Sequence, residues 1–230
     1  MEKKLTIIIP VFNEEKTLLK LLEKVKKIKT DELEVIVVND GSNDGTEKII
    51  IDNNSLYDQF VNNTVNMGKG HAVKEGLSKA SGEYVIFQDA DLEYDPEDIR
   101  KFVELINKFN PDLILGSRFN YDKFSKSHSI FNKIGNLILT NSFNLLYNTT
   151  FTDIYSCYMC FKKKLIEPKD LKTIGFEQHA EILAKTIKKG SNFFEVPINY
   201  NGRSTIEGKK IRFYHFFPVF FRIILERIRF

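Results

Sequence analysis

The run Gln88-Asp89-Ala90-Asp91-Leu92-Glu93 follows a short apolar stretch, Tyr84-Val85-Ile86-Phe87. Two carboxylates spaced i, i+2 at the exit of a buried strand can point one way and grip one divalent cation. Glu93 can add a further ligand, directly or through water. Carboxylate oxygens suit Mg or Mn, ions that also bridge the oxygens of a diphosphate. The competing reading is an acidic turn that caps the helix opened by Pro96.

Five further polar motifs accompany it. Pro10-Val11-Phe12-Asn13-Glu14 offers amide and carboxylate partners for a base or ribose and one flat ring, or else a plain turn and helix cap. Asp40-Gly41-Ser42-Asn43-Asp44-Gly45 combines tight turns with a carboxylate that a turn alone does not need. Asn66-Met67-Gly68-Lys69-Gly70-His71 opens a helix whose N–H groups and Lys69 can meet a diphosphate, though it is not a Walker A loop. Gly116-Ser117-Arg118 places a guanidinium that can fork onto a phosphate. The glycine-bearing basic stretch 200–211, with Arg203 and Lys209, reads as a loop able to close over an anionic substrate.

Stepping outward, each motif falls at the end of a predicted strand or the start of a helix. Apolar runs at Leu5–Ile9, Glu34–Val38, Tyr84–Gln88, Leu113–Leu115 and Phe193–Ile198 predict strands. Helical spacing predicts helices over Glu14–Lys29, Asp44–Ile51, Lys69–Ala80, Pro96–Phe109, Ile130–Tyr147 and Glu177–Lys189. This alternation predicts an α/β fold with a mainly parallel sheet, in which ligands collect beyond the carboxyl ends of the strands.

The 230 residues suffice for one domain with a sizeable core, and 42% hydrophobic content argues against disorder. Cys157 and Cys160 lie in an apolar run and read as buried free thiols. Few cysteines and no signal peptide predict a cytoplasmic setting. Residues 1–115 carry 15 basic and 22 acidic side chains, whereas residues 116–230 carry 19 and 9. The acidic half suits a metal site. The basic half suits a phosphate, a lipid head group or a membrane surface. No apolar run reaches the ~18 residues expected of a spanning helix. The tail Pro218–Phe230 reads as an amphipathic helix that lies on an anionic membrane, on its own domain or on a partner protein.

Taken in order, IIIPVFNEEKTL, VVNDGSNDGT, NMGKGHA, QDADLEYDP, GSRF, TDIYSCY, GFEQHAEIL, EVPINY and GRSTIEGKKI resemble the inverting glycosyltransferases of family 2. The subgroup they are most similar to is the dolichyl- or polyprenyl-phosphate mannose synthases and their bacterial relatives. The resemblance implies a GT-A fold over 1–212, with a nucleotide half (1–115), an acceptor half (116–212) and an amphipathic helix at 213–230. It implies nucleotide contacts from Pro10, Phe12, Asn13, Glu14, Asp40, Ser42, Lys69, Gly70, Asp89 and Ala90. A divalent cation, Mn or Mg, would sit on Asp89 and Asp91 with Glu93 near it. Ser117, Arg118, Glu177, Glu181, Arg203 and Lys209 would line the acceptor and sugar side. Asp91, Asp153, Arg118 and Arg203 would form the catalytic set. The implied partners are a nucleotide sugar (GDP-mannose or a UDP-hexose) and a lipid phosphate, with the protein peripheral on the cytoplasmic face of a membrane and no nucleic acid.

The chain departs from that pattern in three places. Only Lys133 represents the basic residue usual before the Gly135-Asn136 region, Arg212-Phe213-Tyr214-His215 replaces a W-x-D-G continuation, and two transmembrane helices found in some members are missing. A lipid phosphate acceptor would attack as an anion. A sugar hydroxyl would need a base, for which Asp153 is the candidate. A nucleotidyltransferase would carry a glycine-rich basic loop where this chain has PVFNEE, and a dehydrogenase would carry G-x-G-x-x-G. A non-catalytic nucleotide-sugar binder is the remaining rival.

Overall fold

The computed structural model describes residues 4–119, 130–203 and 213–229. Seven strands form one sheet in the order β3-β2-β1-β4-β6-β5-β7. β1 (Leu5–Val11), β2 (Leu33–Asp40), β3 (Gln59–Asn63) and β4 (Tyr84–Phe87) run parallel, as do β5 (Leu113–Ser117) and β7 (Phe193–Pro197). β6 (Met159–Lys162) runs antiparallel between β4 and β5, with Ile86 opposite Cys160 and Leu115 opposite Met159. The mainly parallel sheet expected from the sequence is therefore present. The reversed β6 brings the segment before it, residues 153–158, to the edge where β4 and β5 end.

The central strands are apolar throughout because helices cover both faces, so neither side chain row meets water. Ile7, Ile8, Val35, Val37, Val85 and Ile86 are fully buried. Pro10 does not end β1, which continues to Val11. The carbonyl of Ile8 accepts from Gln88 N on the β4 side, and pairing with β4 goes no further. The N–H that proline lacks would point to that same side, where no acceptor strand remains. β3 (QFVNN) escapes the apolar pattern because it is an edge strand, paired with β2 alone and only half-buried.

Helices α1 (Leu18–Ile28), α2 (Thr46–Asp52), α3 (Lys69–Lys79) and α4 (Ile99–Phe109) connect these strands. α1 starts four residues later than its sequence pattern predicts. Asn13 adopts a left-handed backbone (φ 52°) and residues 15–17 form a turn that ends at the Thr17 cap. α5 (Ile130–Tyr147), α6 (Gln178–Lys189) and α7 (Phe216–Ile228) close the remaining side. Tyr147 Oη donates to the Ile223 carbonyl at 3.0 Å, joining α5 to α7. Both cysteines are buried free thiols. Among the described residues, no helix is long and apolar enough to cross a membrane.

Candidate active site

A cavity of about 530 Å³ opens along the carboxyl edge of the sheet. One wall comes from the ends of β1, β2, β4 and β5 and the start of α3, and the other from α5, α6 and α7. Read across the sheet from β2 to β5, its floor carries Asp40, then Pro10 and Phe12, then Asp89 and Asp91, then Cys157 and Tyr155, then Arg118.

Asp40 is buried at the end of β2. It accepts from Met67 N (3.1 Å) and Gly68 N (2.9 Å), so its carboxylate fixes the loop that leads into α3. Gly41 (φ 68°) must be glycine there, since a Cβ would lie 2.3 Å from the Val65 carbonyl carbon. Asn13 and Ser42 lie behind this wall and not on it. Asn13 N donates to Ser42 Oγ (3.0 Å), Ser42 Oγ donates to Asn39 Oδ1 (2.6 Å), and Asn43 N donates to Asn13 Oδ1 (2.9 Å). These bonds lace the β1 and β2 turns together, which corrects the expectation that both side chains face a nucleotide.

Asp89, Ala90 and Asp91 line the cavity together with Lys69 and Gly70. Lys69 Nζ lies 2.5 Å from Asp89 Oδ1. Burial works against charge on Asp89, but the ammonium of Lys69 outweighs it and holds the carboxyl below its usual range. Asp91 goes the other way. Burial, followed by the charges of Asp89 and Glu93, pushes it up to about 7, with the Glu93 N–H and Arg203 only partly opposing. Leu92, between them, sits in the left-handed region (φ 63°), a strained conformation for a branched side chain.

Arg203 forks onto Glu14 (Nη1–Oε2 3.2 Å, Nη2–Oε1 3.1 Å) and reaches Asp91 Oδ2 at 3.2 Å. Glu93 accepts from Tyr200 Oη (2.7 Å) and from Arg203 N (2.9 Å). Four carboxylates (Glu14, Asp89, Asp91 and Glu93) thus face two cations, Lys69 and Arg203. This surplus of negative charge, expressed in the raised Asp91, fits a divalent cation. No group of three His, Cys, Asp or Glu residues converges on one point among the described residues. Glu93 is therefore committed to Tyr200 and Arg203, not to a shared ligand set. A site of two carboxylates completed by diphosphate oxygens and water matches the way Mg and Mn bind nucleotides.

Arg118 sits at the β5 end of the cavity. Its Nε and Nη2 fork onto Asp153 (2.7 and 2.9 Å), and its guanidinium lies over the Tyr200 ring at 5.2 Å. Asp153 is fully buried and also accepts from Arg118 N, Asn136 Nδ2 and Tyr155 N. Burial disfavours its charge, yet the Arg118 charge and these bonds keep it below the usual carboxylate range. Asp153 is thus an ionised anchor with every lone pair engaged, which corrects its assignment as a base. Ser117 is also buried, sharing a 2.6 Å bond with Thr152 Oγ1 and accepting from Phe119 N, so it supports the turn and does not meet an acceptor.

Glu181 is the clearest departure on α6. Fully buried, it accepts from Lys172 N, Thr173 N and Thr173 Oγ1, and pairs with Lys185 and with Arg222 Nη2 (2.6 Å each). It fastens the 171–173 segment and α7 to α6, away from the cavity. Glu177 accepts from Gly175 N (3.3 Å) at the helix start and is not on the cavity wall. Lys209 and most of the 200–211 stretch lie outside the described residues. The sequence motifs gave no separate role to Tyr94, Tyr155, Gln178 or His179, all of which line the cavity. Their only signal was membership of the QDADLEYDP, TDIYSCY and GFEQHAEIL stretches.

The C-terminal helix is docked on its own domain in an unexpected sense. Val219, Arg222, Ile223 and Glu226 face inward, with Arg222 paired to Glu181 and Glu226. Phe217, Phe221, Leu225 and Ile228 face outward. On α5, Ile134, Leu137 and Ile138 are also exposed. The face that carries Arg222 and Glu226 is thus the buried one.

Known proteins share both the sequence and the fold. The family described as Glycosyl transferase family 2 matches residues 6–167. Dolichol-phosphate mannosyltransferase of Pyrococcus furiosus is 30% identical over 90% of this chain, which spans 60% of that protein. UDP-N-acetylglucosamine–dolichyl-phosphate N-acetylglucosaminyltransferase of Methanococcus voltae is 29% identical over 99% of this chain and 97% of its own length. Glucosyl-3-phosphoglycerate synthase from Mycobacterium tuberculosis, solved with Mn2+, UDP and glucosyl-3-phosphoglycerate, superposes with a TM-score of 0.72 at 18% identity, over 98% of this chain and 80% of that one. This last likeness concerns the GT-A fold alone. On the match across residues 6–167, more than half of its length, the chain belongs to glycosyl transferase family 2.

Proposed function

We propose that the protein transfers a hexose from a nucleoside diphosphate sugar to the phosphate of a polyprenyl lipid, inverting the anomeric centre. Pro10, Phe12 and Asp40 receive the nucleoside, and Lys69 with the helix start at Gly70 faces the diphosphate. Asp89 and Asp91 hold a divalent cation, which supplies charge neutralisation for the departing diphosphate. An oxygen of the lipid phosphate forms the new bond to the anomeric carbon. The bond from that carbon to the diphosphate oxygen breaks, and its electron pair leaves with the nucleoside diphosphate.

The observation that carries a phosphate acceptor over a hydroxyl is the state of Asp153. A hydroxyl must give up a proton as it attacks, and the carboxylate beside Arg118 accepts five hydrogen bonds and has no lone pair to take one. A phosphate arrives already ionised and needs no base, only donors, and Arg118 lines the cavity with Nη1 its least engaged nitrogen, 3.5 Å from Tyr94 Oη. The names of the P. furiosus and M. voltae relatives point the same way.

The outward apolar faces of α5 and α7 suit a membrane surface, with Lys133, Arg227 and Arg229 exposed beside them for anionic head groups. Both helices also contribute to the cavity wall, through Asn136 and Leu139 and through Phe216 and Val219. A lipid phosphate would then reach Arg118 without its chain leaving the apolar layer. An acceptor panel with nucleotide sugar and Mn tests the reading. Label passes to polyprenyl phosphate but not to polyprenol or a soluble glycan. Transfer to the glycan with none to the lipid phosphate contradicts it.

A further inference from the structure

Two neighbouring side chains at the start of α6 line the cavity, and each holds a buried hydrogen-bond acceptor. Among the described residues, Gln178 Oε1 and His179 Nε2 are buried without a partner. Both side chains line the cavity. An orphaned buried acceptor forfeits its bond to water, so each of the two calls for a donor.

The orientation of each is fixed by its other end. Gln178 Nε2 donates to the Thr173 carbonyl at 2.8 Å, and turning the amide over would set two oxygens against each other. The His179 ring donates to the Ile154 backbone, and with Nε2 unpartnered that bond runs through Nδ1. Burial, aided by the charge of Lys69, pushes the imidazole down to about 4, so it is neutral and Nε2 carries a lone pair. Its ring also meets Tyr155 edge to face at 5.5 Å.

The chemistry of the pair selects its ligand. Phosphate oxygens are acceptors and would be repelled by two lone pairs, so neither the donor diphosphate nor a lipid phosphate belongs here. A cation is disfavoured because the pair itself carries no carboxylate, unlike Asp89 and Asp91. Hydroxyl groups, which donate, remain. Ile154 and Tyr155, which hold His179, lead into β6, the strand beyond β4 when counted from the Asp40 side. Past the diphosphate in that direction comes the sugar.

We infer that Gln178 and His179 form the recognition subsite for hydroxyls of the transferred sugar, accepting hydrogen bonds at Oε1 and Nε2. This rests on the donor reading proposed above and adds the residues that read the sugar. They are specificity residues and take no part in bond breaking.

The test compares equilibrium binding of a nucleoside diphosphate with that of the matching nucleotide hexose, in the wild type and in His179→Phe, with Mn present. The expected result is about tenfold weaker binding of the nucleotide hexose by His179→Phe with unchanged binding of the nucleoside diphosphate. Singly deoxygenated sugar nucleotides on the wild type keep the test informative should the variant not fold. One deoxy position costs about tenfold in the wild type, and in His179→Phe that cost disappears. Equal weakening of diphosphate and nucleotide hexose, or no deoxy position that matters, overturns the inference. A wild type that binds neither ligand overturns the donor reading as well.

Discussion

The two walls of the cavity solve burial in opposite ways. The sheet-edge wall rests on a conventional core, with the central strands β1, β2, β4 and β5 mostly apolar and the cavity-facing charges Asp40, Asp89, Asp91 and Arg118 at or just beyond their ends. The helical wall reverses this. α7 turns Arg222 and Glu226 inward to Glu181 and leaves Phe217, Phe221 and Leu225 outside. Such an arrangement costs apolar burial, and replacing a buried ion pair by apolar packing is often neutral or stabilising. A surface that keeps its aromatic residues outward at that cost is suited to a second apolar phase. Under the proposed function the first wall would hold the donor and the second would meet a lipid.

The largest expected effect falls on the joint between the walls. Glu181→Ala leaves Arg222 buried beside Glu226 alone and removes the acceptor of two loop N–H groups. It should cost about 3–5 kcal/mol in denaturant unfolding. A loss under 1 kcal/mol would mean that α7 is held by its apolar contacts and that the ion pair is incidental.

Next comes the sheet-edge wall itself. Asp91→Ala should lower transfer at least ~100-fold, as removal of one preorganised electrostatic group does. The fold should survive, since the change relieves a cluster rich in negative charge. The helical wall should respond in the complementary way. Phe217→Glu with Phe221→Glu alters two side chains that are 48% and 58% exposed. Binding to anionic vesicles should fall about tenfold or more while the melting temperature stays within a degree or two. Loss of stability with vesicle binding retained would place these rings in a protein contact.

The smallest effect is a pH dependence confined to the acidic wall. In the cation-free protein Asp91 keeps its proton up to about pH 7, whereas an unfolded aspartate releases it near pH 4. Between those values the folded state holds the extra proton, so this group's contribution to stability declines as pH rises through that window. The wild type should therefore lose a few degrees of melting temperature relative to Asp91→Asn between pH 5.5 and 7.5. Saturating Mn should erase that trend.

The donor wall was legible in the sequence because each of its determinants is local. β1, β2, β4 and β5 are continuous apolar runs, and Asp40, Asp89, Asp91 and Arg118 follow strands directly. What could not be read there depends on a distant partner. Asp153 has the composition of a base and becomes an anchor only because Arg118 folds onto it from 35 positions away. Glu181 and Arg222 each look like surface charges, and burial follows from their meeting. β3 hides because an edge strand needs no apolar face. β6 hides because three apolar residues and a lysine carry no mark of direction.

The account turns on the charge surplus around Asp91 being completed by a cation and a donor diphosphate together. Calorimetric titration of nucleoside diphosphate into the protein, with and without Mn, measures that linkage directly. Binding at least about tenfold tighter with Mn, and lost in Asp91→Ala, is the predicted result, since each ligand must raise the affinity of the other by the same factor. Nucleoside diphosphate binding of equal strength with and without the cation would contradict it.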